Sequence, residues 1–147
     1  MKTLQFTKEI NAPAQKVWNV LWNESTYPLW TEAFNPSGGS MVRSDWKVGG
    51  KTLFLDKKGN GMVSTIQSKN EPHEMVFKHL GEIVNGAEDT TSDKVKNWAG
   101  SLEEYHLSEH NGVTTLTASV QTDGAFEKML TNGFTKGLEE VKKLAEQ

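Results

Sequence analysis

The chain contains no cysteine. That removes disulfide frameworks, thiolate metal sites and cysteine nucleophiles together. No run of about 18 apolar residues is present, so no membrane-spanning helix is expected, and the N-terminus carries no apolar signal stretch. Basic charge is not in excess either: the formal net charge is −3, which argues against the electrostatic footprint of a nucleic-acid binder. Internal repeats, low-complexity tracts and interdomain linkers are missing too. The expectation is a soluble, cytoplasmic protein without integral membrane association, folded as one domain over residues 1–147.

Aromatic residues, by contrast, are plentiful. Five tryptophans and six phenylalanines supply enough bulk for a packed interior, because aromatics carry much of a core's burial. The most informative stretch is Glu9-Ile10-Asn11-Ala12-Pro13-Ala14-Gln15-Lys16-Val17-Trp18. Leu4, Phe6 and Ile10 keep strand phase up to Ala12, and Pro13 then opens a helix carrying Val17, Trp18, Val20, Leu21 and Trp22. Proline suits a first helical position because the amide it lacks would have had no helical partner. Pro28 restarts a second short helix with Tyr27, Leu29 and Trp30.

Beyond Pro36-Ser37-Gly38-Gly39 the pattern changes to strands separated by glycine and asparagine turns. Runs at Met41–Trp46, Lys51–Asp56, Met62–Ser68, Glu74–Leu80, Ala99–Glu109 and Val113–Gln121 make an antiparallel meander, about seven strands with the opening one. From Gly124 onward a single helix is expected, capped by Asp123, with Glu127 available for a capping box. Its apolar stripe runs through Phe126, Leu130, Gly133, Gly137, Val141 and Leu144, widened by Met129, Phe134 and Leu138. Two glycines on a buried stripe need a reason, since each costs about 1 kcal/mol relative to alanine. Close packing of helix on sheet is one; room for a ligand between them is the other.

Strand, two short helices, meander and long terminal helix is the order of the α+β helix-grip fold. The chain resembles the START/Bet v 1-like (SRPBCC) superfamily and, within it, the bacterial relatives of the C-terminal domain of Hsp90 ATPase activators. The residues that carry the likeness are Ile10 to Trp18 with Trp30, Asp45 to Gly50, Gly61-Met62-Val63 with Pro72, Glu109 to Leu116, and the terminal helix. The resemblance implies a curved antiparallel sheet gripping the last helix around an apolar cavity, and binding of a small hydrophobic or amphipathic molecule such as a lipid. It names no ligand. A co-chaperone or protein-interaction role is an alternative, although the eukaryotic activators use a further N-terminal domain that is not among these residues.

Strand phase places the candidate polar groups. Leu116, Ala118 and Val120 should face inward, as should Tyr105 and Leu107 with Glu103, and Met75, Phe77 and His79. A bulge would invert any of these assignments. Glu103 and His79 then share the concave surface, where a cyclase- or aromatase-like proton transfer is the one chemistry to name. No nucleophile is recognisable beside them, so no catalytic residue is assigned and an enzyme is the lesser expectation. The expected ligand-binding set is Trp30, Phe34, Trp46, Phe77, His79, Glu103, Tyr105, Met129 and Phe134, a mostly apolar lining with a few orienting groups. No cofactor is expected, and no histidine or acidic cluster has the spacing of a metal site. The long connection from Gly81 to Asn97 is either a lid or a decorated loop, with Ser92 capping a helical turn and Trp98 as its hydrophobic tether.

Overall fold

The computed structural model describes residues 1–147. Strand β1 (Lys2–Ile10) ends where Ala12 and Pro13 turn the chain, and α1 (Ala14–Trp22) buries Ala14, Val17, Trp18, Val20, Leu21 and Trp22. Pro13 has no side-chain oxygen to cap the helix, so its first N–H groups need an outside acceptor. Glu109 supplies one, accepting from the Ala14 N–H at 2.7 Å. Two other distant residues pin the same corner. The Thr114 hydroxyl donates to the Ala12 carbonyl at 2.7 Å, and the Glu146 carboxylate accepts from the Asn11 N–H at 2.8 Å. Thr114→Val keeps the side-chain shape but strands a buried carbonyl. It should lower the unfolding free energy by about 1–3 kcal/mol, read from the shift of the urea midpoint.

The remaining elements are α2 (Tyr27–Thr31), β2 (Met41–Ser44), β3 (Lys51–Leu55), β4 (Gly61–Asn70), β5 (Glu74–Val84), β6 (Ala87–Asp89), α3 (Asp93–Lys96), β7 (Leu102–His110), β8 (Val113–Thr122) and α4 (Glu127–Ala145). They form one curved antiparallel sheet in the order β1-β8-β7-β5-β4-β3-β2, with β6 paired beside β5. The sheet wraps the long terminal helix, α1 and α2 pack against that helix, and α1 also touches β7 and β8. No helix is long and apolar enough to cross a membrane.

Several local expectations are corrected. β2 stops at Ser44 rather than Trp46, because Trp46 adopts a left-handed φ of 60° and its N–H turns back to the Ser44 hydroxyl at 2.9 Å. α4 starts at Glu127, after a 3₁₀ turn over Gly124–Phe126 in which the Asp123 carboxylate accepts from the Ala125 N–H at 2.8 Å. Glu127 completes no capping box and instead pairs with Lys2 at 2.6 Å. Much of the Gly81–Asn97 connection is regular: β5 runs on to Val84, turns at Asn85-Gly86 and returns as β6. Ser92 does cap α3, but Val95 is its fully buried tether while Trp98 is only half-buried.

The expected strand phases hold. Met75, Phe77 and His79 are buried on the inner face with Tyr105, Leu107, Leu116, Ala118 and Val120. A bulge does interrupt β5, but just beyond His79: Val63 faces Gly81 and Ser64 faces His79, leaving Leu80 as the extra residue. Leu80 therefore joins a small separate cluster of Leu53, Leu55, Val63 and Ile83. The two helix glycines make room for Trp30 of α2 and for Phe34 in the turn after it, rather than for the sheet. A Cβ on Gly133 would lie 2.3 Å from ring carbons of Phe34, and one on Gly137 would lie 3.0 Å from the Trp30 carbonyl oxygen.

Candidate functional site

The centre of the inner face is a cluster of rings. Trp22 meets Tyr105 edge-on with centroids 4.8 Å apart, Phe54 meets Phe77 at 5.0 Å, and Phe34 meets Phe134 at 4.9 Å. Edge-to-face geometry of this kind satisfies the ring quadrupoles. Trp30 is also buried here, and its indole N–H donates to the Leu21 carbonyl at 3.1 Å, which fixes α2 on α1. Trp22 comes from α1, Trp30 from α2, Phe54 from β3, Phe77 from β5, Tyr105 from β7 and Phe134 from α4, while Phe34 lies in the turn after α2.

A chain of polar groups runs through these rings. The Ser64 hydroxyl lies 2.7 Å from His79 Nδ1, and His79 Nε2 lies 2.9 Å from Glu103 Oε1. The Tyr105 hydroxyl donates to the other Glu103 oxygen. One arrangement of protons satisfies the whole chain: Ser64 donates to Nδ1, Nε2–H donates to Glu103, and Glu103 accepts from both sides as a carboxylate. The side chains of His79 and Glu103 are only 8% and 16% exposed, so solvent does little to share the charge. Its field is felt by the neighbouring phenols. Burial, and then the Glu103 charge, push Tyr27 and Tyr105 well above the ordinary tyrosine range.

Chemically this is an acceptor set deep in an apolar wall. Glu103 can receive a hydrogen bond from a ligand, and the Ser64–His79–Glu103 line can pass a proton between its ends. Hydroxyl, imidazole and carboxylate in sequence also match the order of groups in acyl transfer. Ser64 is 0% exposed, however, and no substrate atom reaches it in this arrangement.

Of the sequence-expected residues, Trp30, Phe34, Phe77, His79, Glu103, Tyr105 and Phe134 are gathered on or over the inner face. Trp46 stands at the side of this group, 6.1 Å from Trp22. Met129 does not join them: it is 49% exposed, on the solvent side of α4. Where the sequence offered no recognisable nucleophile beside Glu103 and His79, the structure sets the buried Ser64 hydroxyl against His79. Alternation of Met62, Ser64 and Ile66 was the only sequence signal, and the register that sets Ser64 opposite His79 comes from the pairing of β4 with β5. Tyr27 and Trp22, assigned only to the core from sequence, also border the polar chain through Tyr105 and Glu103.

Between the sheet and α4 the space expected to be a cavity is filled by Phe6, Phe34 and Phe134. Three hollows open elsewhere. One of about 440 Å³ lies beside the outer cluster near Arg43, Leu53 and Glu88; another of about 410 Å³ lies at the start of α4. A third, about 310 Å³, is walled by Trp18, Trp22, Trp46 and Met75. No three acidic or histidine side chains converge as a metal site would need. The acidic residues near α3 pair with lysines instead, Glu82 with Lys94 at 3.2 Å and Glu88 with Lys51 at 2.9 Å.

Known structures share this architecture. Protein Ms6760 from Mycobacterium smegmatis superposes with a TM-score of 0.67 at 22% identity, covering 98% of this chain and 88% of that one. The Aha1 dimer from Colwellia psychrerythraea gives a TM-score of 0.73 at 13% identity, covering 99% and 97%. CalU16 from Micromonospora echinospora gives 0.67 at 15% identity, covering 97% and 75%. At such identities the likeness establishes the fold alone. No curated protein matches the sequence. The family model described as Activator of Hsp90 ATPase homolog 1-like protein matches residues 11–146. The chain is a helix-grip domain of the SRPBCC superfamily and belongs to that Activator of Hsp90 ATPase homolog 1-like family.

Proposed function

We propose that the protein binds a small amphipathic molecule on the inner face of its sheet, with the polar end held by Glu103, His79 and Tyr105. The observation that carries this reading is the Glu103 carboxylate kept inside a cluster of rings. A buried charge is costly to maintain, and a site that recognises a polar group gives it a use. Phe34 acts as the gate. Its ring is only half-buried and fills the notch over Gly133, so moving it opens space beside Phe134, Trp30 and Tyr105 without disturbing the sheet. Burial of the ligand's apolar body at ~25 cal/mol per Å² then drives binding.

Glu103 accepts hydrogen bonds and repels anions, so the ligand head is a hydroxyl or an amine rather than a carboxylate. Dodecanol and dodecylamine should therefore raise the melting temperature of the wild-type protein, and dodecanoate should not. Glu103→Leu should abolish the preference, and Phe34→Ala should strengthen binding of both favoured probes. Equal response to all three lipids in wild type would remove the role given to Glu103.

A second reading rests on the ring-filled interior together with the family match. A filled grip offers surfaces rather than a cavity, and the family is described by activation of an Hsp90 ATPase. ATP turnover by a bacterial Hsp90 should then rise when the protein is added. Unchanged turnover at saturating protein would leave ligand binding alone.

A further inference from the structure

We infer that the free edge of β2 takes an extended acidic segment of another protein as an added strand, in the pattern acid-x-apolar-x-acid. The inner-face site plays no part in this. The two end strands of the sheet, β1 and β2, are finished differently. α4 ties down β1: Glu127 pairs with Lys2 at 2.6 Å, Glu139 pairs with Lys8, and the Lys142 ammonium donates to the Glu9 carbonyl at 3.2 Å. Nothing comparable covers β2. The backbone groups of Met41–Ser44 bond to β3 alone, so those that point the other way are unpaired. Such a row is a template for one more strand.

What surrounds the edge selects the strand. Met41 and Arg43 lie opposite Leu55 and Leu53, on the outer face of the sheet, at the hollow of about 440 Å³. Buried Leu55 and Ile83 form its floor, and exposed Arg43, Lys57 and Lys58 stand around it. None of these three cations has a carboxylate within ion-pair distance. The two acids of the same hollow are already engaged. Glu88 pairs with Lys51 at 2.9 Å, and Asp56 accepts the Lys58 and Asn60 N–H groups at 2.8 and 3.0 Å. Asp45, just past the strand, accepts the Lys47 N–H at 3.0 Å. On a chain of net charge −3 this corner is positive.

Lys57 reaches back over the turn before β2, its ammonium lying against Gly38, where a Cβ would collide with it. One cation therefore stands toward each end of the strand. Side chains of an added strand alternate between faces. Its outer row thus carries an acid beside Lys57, an apolar residue beside Met41 and an acid beside Arg43. A second copy of this chain is the wrong occupant: pairing β2 with β2 brings the cations together, and like charges across a ladder destabilise it.

The test is a titration of the ¹⁵N-labelled full chain with the peptides acetyl-TETVTET-amide and acetyl-TKTVTKT-amide, followed by amide shifts and hydrogen exchange. The acidic peptide should shift the amides of Met41–Ser44 and of Lys57 and Lys58, and slow exchange of the β2 amides that face away from β3. The basic peptide should not bind. Arg43→Glu, at an exposed position, should weaken the acidic peptide about tenfold and confer binding of the basic one. N-methylation distinguishes an added strand from a charged coil. Alternate N–H groups of a strand point to opposite edges, so methylating one alternate set should abolish binding and methylating the other should not. The proposal is overturned if neither peptide binds at millimolar concentration, if both bind alike, or if the two methylated forms bind equally. It is also overturned if the β2 amides shift with protein concentration alone, because the edge would then be a contact between copies.

Discussion

Folded protein should form no tyrosinate around pH 10. Tyr27 and Tyr105 are the only two tyrosines, both phenols are buried, and both are raised first by burial and then by the charge of Glu103. In an unfolded chain the same phenols titrate near ~10. The folded-state pKa lies above the unfolded one, so the folded state holds its phenolic protons longer. Stability from this source is complete below about pH 10 and is lost as pH rises past it, because the unfolded state then sheds protons that the folded state retains. Tyrosinate absorbance should thus appear in a single cooperative step, together with loss of the near-ultraviolet circular dichroism of the tryptophans. A gradual rise near pH 10 with the dichroism intact would place at least one phenol in solvent and dissolve the ring cluster around Glu103.

Adding one methyl group at Gly133 should change sign with its neighbour. In the wild type a Cβ there meets ring carbons of Phe34 at 2.3 Å, and Phe34 cannot move aside without leaving Phe134 at 4.9 Å. Overpacking of this kind costs about 1–3 kcal/mol, more than the gain of about 1 kcal/mol that alanine brings to a helix interior. Gly133→Ala should therefore lower the melting temperature by several degrees, about 2–4 °C per kcal/mol for a domain of this size. In a Phe34→Ala background the obstruction is gone, and the same substitution should stabilise by about 0.5–1 kcal/mol. Gly133→Ala destabilising equally in both backgrounds would mean that Phe34 does not occupy the notch. The gate assigned to Phe34 would fall with it.

The inner-face assignment of His79, Glu103 and Tyr105 was legible because the aromatic set of β5 and the apolar alternation of β7 and β8 point the same way, and the bulge falls one residue past His79. The corner at Pro13 was legible for a similar local reason. Less visible were features fixed by distant partners. Glu109 caps α1 across the fold, and Ser64 meets His79 only because two strands pair in that register. Met129 was misplaced because it lies in the first turn of α4, where the stripe has not yet reached the sheet. The Asn85-Gly86 hairpin was available as a local signal, since that dipeptide favours the left-handed turn it forms. The packed interior was not legible: alternation tells which rings face inward, not whether they close the space between them.

A small molecule received by this interior at Glu103 should travel with the protein. Native mass spectrometry of the protein purified from its own organism tests it most directly. An additional non-covalent mass carrying a hydroxyl or amino group is expected, retained by the wild type and absent from Glu103→Leu. Bare polypeptide alone, under conditions gentle enough to preserve known complexes, would contradict it.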